Sequence, residues 1–85
     1  MSIVIYPASG GWRHSTLTKR GTQMCGRLSG IPADADPDTA KDAATGMVAS
    51  LDACFFHLGL DVIWQPDEQP GWWTGSVYRI NGEPI

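Results

Sequence analysis

The sequence predicts an α+β fold in which an antiparallel sheet, in ββ(β)αββ order, carries one long helix across one of its faces. Three observations predict it. Short β-branched and aromatic runs, broken by turns rich in glycine and proline, stand at both ends of the chain. A single apolar stripe with helical spacing lies between them. The 85 residues, 42% hydrophobic and 18% charged, suit one small globular domain over 1–85 rather than a disordered chain. At this length a second catalytic lobe is not expected, and a domain near this size buries only roughly 60–65% of its extended-chain surface, which leaves little room for a deep substrate cavity.

The first element is a hairpin. Ile3, Val4, Ile5 and Tyr6 are strand formers, the stretch from Pro7 to Gly11 is a turn, and Trp12 to Thr18 alternates large and polar residues. Alternation places Trp12, His14, Thr16 and Thr18 on one face and Arg13, Ser15 and Leu17 on the other. Lys19, Arg20 and Gly21 form the next turn. A third strand over Thr22 to Leu28 divides Met24, Gly26 and Leu28 from Gln23, Cys25 and Arg27.

After a loop over Ser29 to Ala35, Asp36 is the expected helix cap, Pro37 the first helical residue and Asp38 a favourable charge at the positive end of the helix dipole. Ala40, Ala44, Met47, Leu51, Phe55 and Leu58 then recur every three or four residues, which predicts an amphipathic helix of about twenty residues ended by a left-handed Gly59. Val48 and Phe56 fall partly off that stripe. A second hairpin follows, with a strand at Val62 to Trp64, a long turn at Pro66 to Gly71 and a returning strand at Trp72 to Ile80. The tail from Asn81 to Ile85 is expected to fray. With the helix on one face, the other sheet face is left to solvent or a partner.

Charge is divided along the chain. The net value of −3 averages residues 1–30, where Arg13, Lys19, Arg20 and Arg27 meet no acid, with residues 31–85, where nine acids outnumber Lys41 and Arg79. The first apolar run is too short for a signal-peptide core, and the uncharged stretch from Ala53 to Leu60 is too short to span a bilayer, so a cytoplasmic protein without a membrane partner is expected. Two cysteines are too few for a disulfide framework and favour reduced thiols.

The residue types present raise three kinds of chemistry. His14, Cys25, Cys54 and His57 have the ligand types of a Cys2His2 zinc site, but His14 shares its strand face with Trp12 while Cys25 alternates away from Met24 and Leu28, so convergence of all four requires a specific register. The preferred reading makes Cys54 a small core residue and His57 a cation at the helix C-terminus; a bridge between Cys25 and Cys54 is the remaining alternative. Cys54 with His57 lacks oxyanion donors, so no catalytic set is assigned and no cofactor is expected. The acidic run Asp34, Asp36, Asp38 and Asp42 lacks the glycine and glutamate of a calcium loop and reads as solvated charge at the helix entry.

Four tryptophans exceed the needs of so small a core. Trp72 and Trp73 are adjacent in a strand, so one of them leaves the helix side, and exposed aromatic surface marks interfaces. The expected contact residues are Trp72 or Trp73 with Trp12 as anchors, Arg13 and Arg27 as basic contacts, and Asp34, Asp38 and Asp42 as an acidic docking edge. The three strands, the loop, and the run Asp36-Pro37-Asp38-Thr39-Ala40-Lys41-Asp42-Ala43-Ala44 opening a helix that returns to a strand resemble the HicB-like antitoxin domain over roughly residues 3–65. That resemblance implies direct neutralisation of a small RNA-cleaving toxin, and in the family a separate segment often binds operator DNA; it carries over no individual residue. The sequence therefore points to a non-enzymatic binding protein of the kind a phage or mobile element encodes, masking a partner protein or associating with itself as a dimer, basic sheet on acidic helix. A nucleic-acid-binding regulator using residues 13–27 is the alternative.

Overall fold

The computed structural model describes residues 1–18 and 21–80, with Phe55 and Phe56 described by their backbone only. β1 (Ser2–Ala8) and β2 (Gly11–Leu17) form the first hairpin, and β3 (Gln23–Arg27) pairs with β2. α1 (Pro37–Leu51) runs into a wide π-helical turn at Asp52–Phe56, and β4 (Leu60–Pro66) pairs with β5 (Trp73–Arg79) to make the second hairpin. The strands form one antiparallel sheet in the order β3-β2-β1-β5-β4. The two hairpins thus join through β1 and β5, and α1 carries the chain from one edge of the sheet to the other. This is the expected α+β architecture.

Alternation decides the core. Ile3 and Ile5, both with 0% exposure, lie on the helix side with Trp12, Thr16, Leu28, Leu60, Val62 and Val77. Ala40, Ala44 and Val48 face them from α1. Their small side chains let the helix backbone come close to the sheet. Gly75 has the same role within the sheet, because a Cβ there would sit 2.5 Å from Val62 Cγ1 and 2.9 Å from both Ile3 Cγ2 and a Trp64 ring carbon. Trp64 stands opposite Gly75 and donates its indole N–H to Thr45 Oγ1 on α1 at 3.1 Å, fastening helix to sheet.

The start of the helix is as expected. Asp36 accepts a hydrogen bond from the Thr39 backbone N–H at 2.8 Å, and Pro37 occupies the first turn. Hydrogen bonds from the Thr39 hydroxyl and N–H hold the Asp36 carboxyl below its ordinary range.

The helix end differs from expectation. Its α-helical part is 15 residues, and the left-handed residue that closes it is His57, at φ 55°, with Gly59 following at φ 73°. The π-helical turn adds a residue to the last turn and so rotates later positions off the buried stripe. Cys54, expected in the core, is exposed, as is Leu58. Val48, expected partly off the stripe, is 1% exposed, because the buried positions step by four from Ala40 through Ala44. Asp52 holds this junction by accepting the backbone N–H groups of Leu58 at 2.7 Å, Gly59 at 2.9 Å and Leu60 at 3.3 Å. The Leu58 bond above all lowers its pKa.

The loop from β3 to α1 folds back on the first hairpin. Trp12 donates its backbone N–H to the Ile31 carbonyl at 3.0 Å, and Leu28 donates to the Trp12 carbonyl at 2.9 Å. Gly11, at φ 136°, makes this approach feasible, since a Cβ there would lie 2.7 Å from the Ile31 oxygen. The expected frayed tail, 81–85, and the turn residues Lys19 and Arg20 fall outside the described residues.

Candidate functional site

The sheet face away from α1 carries Val4, Tyr6, Arg13, Ser15, Cys25, Arg27, Ile63 and Thr74, the complement of the buried set. Strand register sorts these side chains into rows that cross the whole sheet. In one row Tyr6 of β1 stands opposite Arg13 of β2, and Arg13 stands opposite Arg27 of β3. On the other side of Tyr6, Trp72 stacks at a ring-centroid distance of 4.3 Å with the planes 19° apart. Asp67 donates its backbone N–H to the Trp72 carbonyl at 3.1 Å, which extends the row beyond β4. Read across the molecule, the row is Asp67, Trp72, Tyr6, Arg13 and Arg27. It spans about 19 Å, four strand spacings of ~4.8 Å.

The row has a negative end, an aromatic centre and a positive end. The Asp67 carboxylate accepts hydrogen bonds from the Thr74 hydroxyl at 2.8 Å and from the Gln69 backbone N–H at 3.1 Å. These bonds, the Thr74 one foremost, lower its pKa and keep it ionised. At the other end the Arg27 guanidinium lies over the first hairpin turn, 3.1 Å from where a Cβ on Gly10 would stand. Arg27 also walls an open depression of about 370 Å³ lined by Gly10, Gly11, Ser29, Gly30 and Ile31 among others. Among the described residues neither Arg13 nor Arg27 forms an ion pair, and the salt bridge found joins Lys41 to Asp38 at 3.7 Å on the helix.

The structure brings together three of the residues expected at a contact surface: Arg13, Arg27 and Trp72. Trp12 is not among them. It is 2% exposed and donates its indole N–H to the Ala35 carbonyl at 3.2 Å, so it anchors the core rather than a partner. The physical reason is parity, which puts Trp12 with Ile3 and Ile5 while Arg13 points the other way. Trp73 is likewise on the helix side, half-buried, with the Lys41 ammonium 3.3 Å from its ring centroid. Asp34, Asp38 and Asp42 are exposed, on or just before the helix, in the layer opposite Arg13 and Arg27. Two residues of the row were absent from the expected set: Asp67, read only as part of a turn, and Tyr6. The signal for Tyr6 was present in the alternation of Ile3 and Ile5 against Val4 and Tyr6.

The four nitrogen and sulfur ligands do not converge. His14 lies on the helix side, its ring over Gly26 and its Nδ1 3.2 Å from Thr16 Oγ1. Burial lowers its pKa. Cys25 is on the open face, 3.7 Å from Ser15 Oγ, and Cys54 and His57 are exposed beyond the end of α1. Both thiols are free, and among the described residues no three His, Cys, Asp or Glu side chains are grouped to hold a metal. Among the described residues no helix is long and apolar enough to cross a membrane. No protein-family model, curated protein or solved structure matches the chain.

Proposed function

We propose that this protein is a non-enzymatic, cytoplasmic binding module that docks a protein surface through the open sheet face, with the row from Asp67 to Arg27 as its contact strip. The observation that carries this reading is the composition of the strip. Trp, Tyr and Arg are the residues that dominate protein interfaces, and here they stand adjacent on one sheet face, beside the small polar side chains Ser15 and Thr74. Masking of a partner, as by an antitoxin or an inhibitor encoded on a phage or mobile element, is the corresponding role.

A nucleic-acid reading is favoured by one feature, the alignment of Arg13 and Arg27 with a stacked aromatic pair. Asp67 weighs against it. A strand of phosphates laid along the row would gain two cations and then meet a carboxylate held in its charged form. A mixed-sign strip fits a protein surface of complementary pattern better than a uniform polyanion.

The test is affinity capture from the native host with wild-type and Trp72→Ala protein as baits, read by mass spectrometry. A protein recovered by the wild type and lost with the variant is the expected result; equal recovery by both overturns the assignment of the strip. Titration with RNA and duplex DNA at about 50 and 200 mM salt decides the second reading.

A further inference from the structure

Resting on the docking reading, we propose that the surface which fits this strip is the strip of a second copy of the chain, giving a weak two-fold dimer packed sheet face to sheet face. The strip is complementary to itself when reversed. A two-fold axis parallel to β1, lying above the Tyr6 side chain and midway between the two sheets, sets each row against the same row of the partner with its order inverted. Asp67 of one copy then faces Arg27 of the other, Trp72 faces Arg13, and Tyr6 faces Tyr6. Each contact occurs twice except the last. The first is a carboxylate on a guanidinium, and the second is a guanidinium on an indole, whose stack with Tyr6 uses only one face of the ring.

The neighbouring rows offer no opposition. Gln65, Thr74, Val4, Ser15 and Cys25 form one, and Ile63, Ser76, Ser2, Leu17 and Gln23 the other, and neither contains a charge. Inverting the first sets Val4 on Val4 and Thr74 on Ser15. The second adds Ile63 and Leu17, 54% and 48% exposed, to the covered area. Sheet twist also suits this operation. A two-fold axis along the central strand carries a twisted sheet onto a surface of the same twist, so the spacing between the sheets, about 10 Å, stays even from edge to edge.

Size sets the strength. Five strands of about seven residues present a face of roughly 24 by 23 Å, so two copies bury on the order of 1,100 Å², at the lower end for specific association. A reversible dimer with a micromolar or weaker dissociation constant is expected, and it would leave the same face open to exchange with a foreign protein.

The experiment is sedimentation equilibrium of the full chain from about 10 µM to 1 mM, the range in which so small an interface should dissociate. The wild type should move from one chain toward two as concentration rises. Arg27→Asp and Asp67→Arg should each stay monomeric alone, and an equimolar mixture should recover the dimer, because each variant's altered charge then meets its opposite. Arg27 is an exposed edge-strand residue, so Arg27→Asp carries the test by itself should Asp67→Arg fail to fold, as circular dichroism would show. A dimer that persists in Arg27→Asp overturns the proposal. So does association abolished by Asp38→Lys with Asp42→Lys, which would mean sheet on helix. A wild type monomeric throughout also overturns it; capture of a Trp72-dependent partner would then leave the docking reading standing.

Discussion

Arg13 stands directly opposite Arg27 across the ladder between β2 and β3, on the open face and with no carboxylate paired to either among the described residues. Like charges directly opposite one another in a sheet are destabilising by about 0.2–1 kcal/mol. The pair is a cost to folding that a bound acidic group would relieve. Replacing Arg27 by Gln should therefore leave stability unchanged or raise it by up to ~1 kcal/mol at low salt, with the gain shrinking at higher ionic strength. Urea unfolding of both proteins at two salt concentrations measures this; a clear loss of stability would show that Arg27 is structural.

The tryptophans divide by face. Trp12→Ala removes a core side chain and should cost about 3–5 kcal/mol, much of the ~5–10 kcal/mol available to a domain of this size. Trp72→Ala removes one side of an aromatic stack and should cost about 0.5–1.5 kcal/mol beyond lost area, leaving the domain folded. Guanidinium unfolding curves distinguish the two, and comparable losses would place Trp72 in the core.

Two glycines predict opposite signs. Gly75→Ala forces a methyl into the contact with Val62, Ile3 and Trp64 and should lower stability by about 1–3 kcal/mol. For a domain of this size each kcal/mol lowers Tm by ~4–8 °C. Gly46 lies inside α1, exposed, with nothing within 4 Å of an added Cβ. Gly46→Ala should raise stability by about 0.5–1 kcal/mol through helix propensity alone.

His14 and three carboxylates give separable responses to acid. The folded-state pKa of His14 lies below its ordinary 6.5 because burial disfavours the imidazolium. The unfolded chain therefore binds the proton more readily, and stability that is complete above 6.5 falls as pH drops below it. Asp36, Asp52 and Asp67 are depressed by hydrogen bonds to their carboxylates, so their contribution is present above 3.8 and lost below it. Thermal melts across pH should show two descending steps, with His14→Gln removing the upper one. Asp52→Asn, which gives up one of the two oxygens that bind Leu58, Gly59 and Leu60, should lower Tm at neutral pH and shrink the lower step.

Much of this was legible because strand alternation is a local rule. Once Ile3 and Ile5 are inward, Tyr6 must be outward, and the division of Arg13 from Trp12 and of Arg27 from Leu28 follows by the same parity. The helix entry was equally local, since Asp36 caps a residue only three positions ahead. The helix end was not. Whether the chain closes at His57 or Gly59 depends on a carboxylate, Asp52, reaching three amides beyond the turn, and no periodicity encodes that reach. The core position of Val48 likewise follows from where the sheet meets the helix.

The α+β class, the alternation along each strand and a basic first third are set by neighbours within a few residues and are legible in the chain alone. The pairing of β1 with β5, and with it the stack of Trp72 on Tyr6, exists only in the folded molecule. Register between distant strands is chosen by which apolar side chains close one core, a global condition. That choice lines Asp67, Trp72, Tyr6, Arg13 and Arg27 into a single row and turns a divided charge pattern into a candidate contact strip.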